Sequence, residues 1–120
     1  MAVDLSKVSG FANGWFVVAF SDELAVGGVQ PIRYFASDLV LFRTESGAAT
    51  ILDAHCPHMG AHFGYDSVVK GERIECPFHA WQFGRDGKCA HIPYQDEIPR
   101  KARVRSWPTA ELNGLIFVWH

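Results

Sequence analysis

Four residues carry the chemistry this sequence offers. Cys56-Pro57-His58 and Cys76-Pro77-Phe78-His79 are two cysteine–histidine pairs, with residues 59–75 between them. Thiolate sulfur and imidazole nitrogen together suit zinc and iron. One reading is a structural zinc in a Cys2His2 site. Paired zinc ligands usually stand two to four residues apart, so that both side chains reach one tetrahedral ion. Cys76 and His79 meet that spacing, and Cys56 and His58 do not. With a single residue between them, their side chains reach one ion awkwardly and two adjacent metals, one each, more easily. The remaining candidates are weaker. His58 and His62 are four apart, but Pro57 and Gly60 argue against a helix, and no glutamate follows His58 as a zinc-protease motif requires. His62 therefore reads as structural, and His55, His91 and His120 as lone histidines. Cys89 reads as a small buried hydrophobe.

Such loops need a rigid carrier, and the chain supplies one. Trp15–Phe20, Pro31–Phe35, Leu39–Arg43 and Ala49–Ala54 are short runs rich in β-branched and aromatic residues. Ala102–Trp107 alternates with a period near two, as a half-exposed strand does, and Leu115–Trp119 reads as a buried strand. Asp86-Gly87 and Asn113-Gly114 favour tight hairpins because they tolerate positive φ. Ser21–Gly28 suits one helical turn capped by Ser21. These signals predict an all-β antiparallel fold, a sandwich or small barrel. The cysteines then fall in loops at strand ends, Cys56 after the Ala49–Ala54 strand and Cys76 after Arg73–Glu75.

A [2Fe–2S] cluster with two cysteines on one iron and two histidines on the other, each loop giving one of each, is the Rieske arrangement. On "CPHMGAH" and "CPFHAW" the sequence resembles the Rieske domain of Rieske-type non-haem iron oxygenases. The likeness extends from "NGWFVVAF" through "IPYQDEIPRKARVRSWPTAELNGLIFVWH", a tail similar to the oxygenase components of ketosteroid-hydroxylase-like enzymes. The resemblance implies a Rieske domain over residues 13–120 behind an N-terminal extension of residues 1–12. It implies Cys56 and Cys76 on one iron and His58 and His79 on the other, with Met59 and Trp81 shielding the cluster. Respiratory Rieske proteins add a cysteine to each loop and hydroxyls near the cluster. Here the corresponding positions hold Ala61 and Phe78, and Trp81 and Phe83. No disulfide clasp is then possible, and a potential near the low end of about −150 to +300 mV is expected, because hydrogen bonds to the sulfurs raise it.

In that family a mononuclear non-haem Fe(II), held by two histidines and a carboxylate, lies in a separate C-terminal domain. No Asp/Glu-x-x-His-x(3–4)-His pattern occurs in this chain. The resemblance thus implies the electron-entry domain of an oxidoreductase, with no catalytic residue of its own. It would be fed by a ferredoxin or flavin reductase and would deliver to a neighbouring oxygenase subunit in a homotrimer. A free-standing Rieske ferredoxin and a structural zinc or interaction domain are the rival readings. Composition narrows the rest. At 120 residues, 48% hydrophobic and 20% charged, the chain suits one soluble domain. A net charge of −2 gives no reason to expect nucleic acid. No apolar run suits a membrane span and no secretory signal opens the chain, so a reducing cytoplasm is expected. The acidic pair Asp22-Glu23 and the basic cluster Arg100, Lys101, Arg103 and Arg105 are expected to face solvent. The substrate of the full oxygenase is not written in these residues.

Overall fold

The structure, a computed structural model, describes residues 13–58 and 60–120. The expected N-terminal extension and the expected shield Met59 lie outside the described residues. Among the described residues, eleven strands form three antiparallel sheets. The first joins β1 (Trp15–Phe20), β11 (Leu115–Trp119) and β10 (Thr109–Leu112). The second runs β2 (Val29–Tyr34), β3 (Ser37–Arg43), β4 (Ala49–Asp53) and β9 (Ser106–Trp107). The third is a meander of β5 (Val68–Lys70), β6 (Arg73–Glu75), β7 (Gln82–Gly84) and β8 (Cys89–His91).

The second sheet is the centre of the molecule because β3 and β4 are apolar on both faces. Successive strand residues point to opposite sides. Leu39, Leu41 and Ile51 accordingly join one buried cluster with Trp107, Ile116 and Val118 of the neighbouring strands. Val40, Phe42 and Leu52 join the opposite cluster, with Phe63, Ile74, Phe83, Cys56 and Cys76. All six of these β3 and β4 residues are fully buried. This two-sided burial explains why the strand reads as an unbroken apolar run rather than an alternating one.

Two expectations need correction. Of the predicted strand Ala102–Trp107, only Ser106–Trp107 forms a ladder strand. The preceding residues split their bonds between two sheets: Cys89 and Asp53 donate to the carbonyls of Ala102 and Arg105, while Val104 donates to Gly87. Ser21 does not cap a helix; it begins a 3-10 turn, Ser21–Glu23, and the Glu23 carboxylate accepts the Phe20 N–H at 2.8 Å. The sequence does not single out β5; it marks β6 only as the strand end before Cys76, and β7, β8 and β10 only as flanks of the Asp86-Gly87 and Asn113-Gly114 hairpins. The two turns hold as expected. Asn113 and Gly114 have φ of 54° and 78°, the pair of positive values a type I′ hairpin needs. Gly87, at φ 82°, lies where a Cβ would meet the Val104 carbonyl oxygen at 2.1 Å.

Candidate metal centre

The two cysteine–histidine loops sit side by side at one end of the third sheet, and each is closed the same way. The Cys56 N–H donates to the Ala61 carbonyl at 2.8 Å, and the Cys76 N–H to the Trp81 carbonyl at 2.7 Å. Each closure joins a cysteine to the residue five further on. Gly60 turns the first loop with φ 74°, and its N–H donates to the Cys56 carbonyl at 2.7 Å. The second loop turns on His79 and Ala80, at φ 62° and 56°. These are unusual values for residues with a Cβ.

The loops bring the four candidate ligands together in two like pairs. Cys56 and Cys76 are 2% and 1% exposed, at the apolar base beside Phe63, Ile74 and Phe83. Their thiols are hydrogen-bonded to each other, and that contact, followed by burial, pushes the Cys76 thiol well above its ordinary range. The Cys76 sulfur also accepts the Phe78 N–H at 3.4 Å. The imidazoles lie outward: His58 is half-buried and His79 exposed. Their Nδ1 atoms face each other at 3.3 Å. Two nitrogens bound at about 2.1 Å to one tetrahedral metal would stand roughly 3.4 Å apart, so this separation already suits a shared ion. Among the described residues, no three of the four donors lie within 4.8 Å of one another. The two sulfurs and the two nitrogens thus stand as two like pairs rather than as one group of four.

Trp81, expected as a shield, is 7% exposed and lies parallel to the His58 ring, 4.2 Å between centroids and 5° between planes. Phe83 is fully buried against Phe63, while Phe78 is 54% exposed. All three cysteines are free thiols, so no disulfide clasps the loops.

Tyr94, Asp38 and Arg33 are not singled out by the sequence, and His55 and His62 read there only as a lone and a structural histidine. Tyr94 accepts the Trp81 indole N–H at 2.5 Å. His55 lies between the Gly60 carbonyl at 3.0 Å and the Asp38 carboxylate at 3.3 Å, and Arg33 pairs with Asp38 at 2.6 Å. The Gly60 carbonyl, then Asp38, raise the His55 pKa, while burial lowers that of His62. Asp38, His55 and His62 offer donor atoms within 4.8 Å of one another. The His62 Nδ1 is taken by the Gly64 N–H at 2.8 Å, and His55 by the loop carbonyl, so these groups brace the first loop.

Cys89 and His91 repeat the Cys-x-His spacing, yet Cys89 is buried and His91 exposed. The register between β7 and β8 shifts there, Gln82 facing His91 and Phe83 facing Cys89. Such a bulge turns the two side chains apart. His120 stacks on Phe35 at 4.3 Å. Arg100, Lys101, Arg103 and Arg105 are exposed as expected, and Arg105 lies 3.7 Å over the Trp107 ring.

Buried thiols with paired imidazoles, on one loop that leaves β4 of the second sheet and one that joins β6 to β7 of the third, fit the class of an iron–sulfur electron-transfer domain. Comparison with known proteins gives the particular family. The chain belongs to the Rieske [2Fe–2S] domain family, whose pattern it matches over residues 14–108.

It is 47% identical over 109 residues to cholesterol 7-desaturase nvd 1 of Ciona intestinalis, covering 91% of this chain and 23% of that protein. It is 44% identical over 110 residues to the probable 3-ketosteroid-9-alpha-monooxygenase oxygenase component of Rhodococcus rhodochrous, covering 92% and 27%. The fold matches dicamba monooxygenase bound to dicamba with a TM-score of 0.82 at 30% identity, over 89% of this chain and 32% of that one. It also matches the oxygenase in a reduced complex of the oxygenase and ferredoxin of carbazole 1,9a-dioxygenase, with a TM-score of 0.78 at 27% identity, over 92% and 29%. The resemblance to Rieske oxygenases therefore holds, and the all-β expectation with it. The chain spans only 23% and 27% of the two curated relatives' lengths. Among the described residues no helix is long and apolar enough to cross a membrane.

Proposed function

We propose that this chain is the electron-entry domain of a Rieske non-haem iron oxygenase, with Cys56 and Cys76 holding one iron of a [2Fe–2S] cluster and His58 and His79 the other. The observation that carries this reading is the segregation of donors into a buried sulfur pair and an outward nitrogen pair. When bound, such a cluster stores and releases one electron, with the histidine-ligated iron as the site of reduction. The chain's own residues prepare that chemistry. Phe63, Ile74 and Phe83 keep water from the thiolates. The cysteines release their protons as they bind, so loading is favoured as pH rises. The exposed His79 edge presents the shortest path to a partner. With Ala61, Phe78, Trp81 and Phe83 in place of clasp cysteines and hydroxyls, the potential belongs at the low end of the His-ligated range.

Relatives with oxygenase and desaturase names, and an oxygenase–ferredoxin complex among the structural matches, support a ferredoxin or flavin reductase as donor and a catalytic domain with mononuclear iron as acceptor. The acceptor would lie in a neighbouring subunit of a homotrimer, in the cytoplasm. The two named relatives are a cholesterol 7-desaturase and a probable 3-ketosteroid-9-alpha-monooxygenase component. A steroid substrate for the complete oxygenase is the reading they favour.

The test is spectroscopic. Aerobically purified protein should be red-brown and, after dithionite reduction, give the low average g-value of a His-ligated [2Fe–2S] centre. A colourless protein that holds zinc and stays EPR-silent after reduction would overturn the proposal. A midpoint in the upper half of the His-ligated range would overturn its low-potential part.

A further inference from the structure

We infer that Tyr94 is a positioning residue for the His58 imidazole, acting through the indole of Trp81. The inference rests on the reading of His58 as a cluster ligand, and it adds a third chain segment to the two cysteine–histidine loops. Trp81 joins those loops physically. Its backbone carbonyl closes the second loop by accepting the Cys76 N–H, while its ring lies flat against the histidine of the first. A ring that is nearly buried and parallel to a candidate ligand fixes the plane of that ligand only if it is itself fixed. The indole has one polar atom, Nε1, and its N–H donates to the Tyr94 hydroxyl.

Tyr94 is held from a different direction. It lies in the turn after β8, between Ile92, which is 2% exposed, and Gln95, which pairs with Ile92 in an isolated bridge. The Gln95 side-chain amide donates to the Glu97 carbonyl at 2.6 Å and steadies the turn. Tyr94 also meets His79 edge-on, 6.5 Å between centroids and 87° between planes. One tyrosine therefore touches the second histidine directly and reaches the first through tryptophan.

The physical consequence has a sign. The imidazoles carry more positive charge when the cluster is oxidised than when it is reduced, and an aromatic face favours positive charge beside it. The stacked indole thus stabilises the oxidised state and lowers the midpoint potential. Removing the Tyr94 hydroxyl leaves a nearly buried N–H without its acceptor. The indole then tilts away from the His58 plane, and the midpoint rises.

The experiment is a double-mutant cycle on the cluster-loaded protein, with Tyr94→Phe, Trp81→Phe and the pair. Tyr94→Phe should raise the midpoint and alter the g-anisotropy while iron and sulfide content stay at the wild-type level. In the Trp81→Phe background the same change should shift neither. A Tyr94→Phe protein with unchanged potential and EPR spectrum overturns the inference, and so does a shift that persists undiminished when Trp81 is already phenylalanine.

A second readout needs no cluster. In apo protein, Tyr94→Phe should speed exchange of the Trp81 indole N–H with solvent, and an unchanged exchange rate overturns the inference. If wild-type protein takes up no His-ligated cluster, the reading of the site fails first. The indole exchange then still reports on the Tyr94–Trp81 contact alone.

Discussion

The loop from Cys56 to Ala61 and the loop from Cys76 to Trp81 share one plan. In each, a buried cysteine closes on the carbonyl five residues later, and the residue four positions on is left-handed, Gly60 in one and Ala80 in the other. They differ in where the histidine stands. His58 is the second residue after its cysteine, while His79 is the third and is itself left-handed. That extra left-handed residue turns the second imidazole back toward the first, so that unequal spacings deliver nitrogens 3.3 Å apart. The first loop leaves its turn to a glycine and is braced by His55, Asp38 and Arg33. The second puts two residues with a Cβ into a conformation costing about 1 kcal/mol each, and is braced by Trp81 and Tyr94. Strain in this site is thus concentrated in the loop that bears the outermost ligand.

The sharpest test of the shared plan is to remove the cysteines one at a time. Cys56→Ser and Cys76→Ser should each abolish the visible absorbance of the loaded protein almost completely, and to the same degree, since both thiolates sit at the same buried base. If one variant kept its colour, the two loops would not be equivalent.

The next largest effect is in the frame that carries both loops. Arg43 of β3 uses all its donors: Nε to Leu24, Nη1 to Gly47 and Glu111, Nη2 to Ser21 and Glu111. Glu111→Gln leaves a guanidinium with 10% side-chain exposure without its counter-charge and should cost about 2 kcal/mol; the 31% exposure of Glu111 tempers the loss. The loaded protein's EPR spectrum should not move. Arg43 holds the Glu111 carboxyl at about 2, below its ordinary 4.5. A carboxylate with a depressed folded pKa stabilises the fold above its unfolded pKa and loses that contribution as pH falls through the folded one. Urea midpoints should therefore fall from pH 4.5 toward 2 more steeply in wild type than in Glu111→Gln.

The four ligand candidates and the odd spacing of the first pair could be read in the sequence because ligand chemistry depends on residue type. The long strands could be read because burial on both faces leaves an unbroken apolar run, as in Leu39–Phe42. What stayed hidden is what depends on distant pairing. Strands of three residues, such as Val68–Lys70, are too short to show a period. Ala102–Arg105 looked like a strand but divides its bonds between two sheets. The Tyr94–Trp81 and Asp38–His55 contacts gave no motif, because each joins residues far apart in the chain. The left-handed turn at His79 and Ala80 had no glycine to announce it.

That turn supplies the next comparison. Ala80→Gly should stabilise the apo protein by about 1 kcal/mol, because glycine takes φ 56° without a steric penalty. Gly60→Ala should destabilise it by about the same amount. A Cβ at position 60 would meet nothing within 4 Å, so the cost is purely conformational. Urea denaturation of the two variants should give shifts of opposite sign. Shifts of the same sign would show that the two left-handed positions do not play the same part.

The smallest effect concerns the brace peculiar to the first loop. Arg33 and Asp38 are 64% and 39% exposed at their side chains, so their ion pair is screened and adds little to global stability. Asp38→Asn should leave the melting temperature nearly unchanged. Its influence is local. Asp38 is one of the two groups that hold the His55 ring, and the ring's other nitrogen meets the Gly60 carbonyl at the tip of the loop. With the negative charge gone, the hold on the His55 ring weakens to a neutral contact, and the first loop opens more often. The Cys56 and Gly60 amides, which close that loop, should exchange with solvent faster, while the Cys76 amide of the second loop keeps its rate. Equal acceleration in both loops would mean that they open as one unit and that the brace on the first has no separate role.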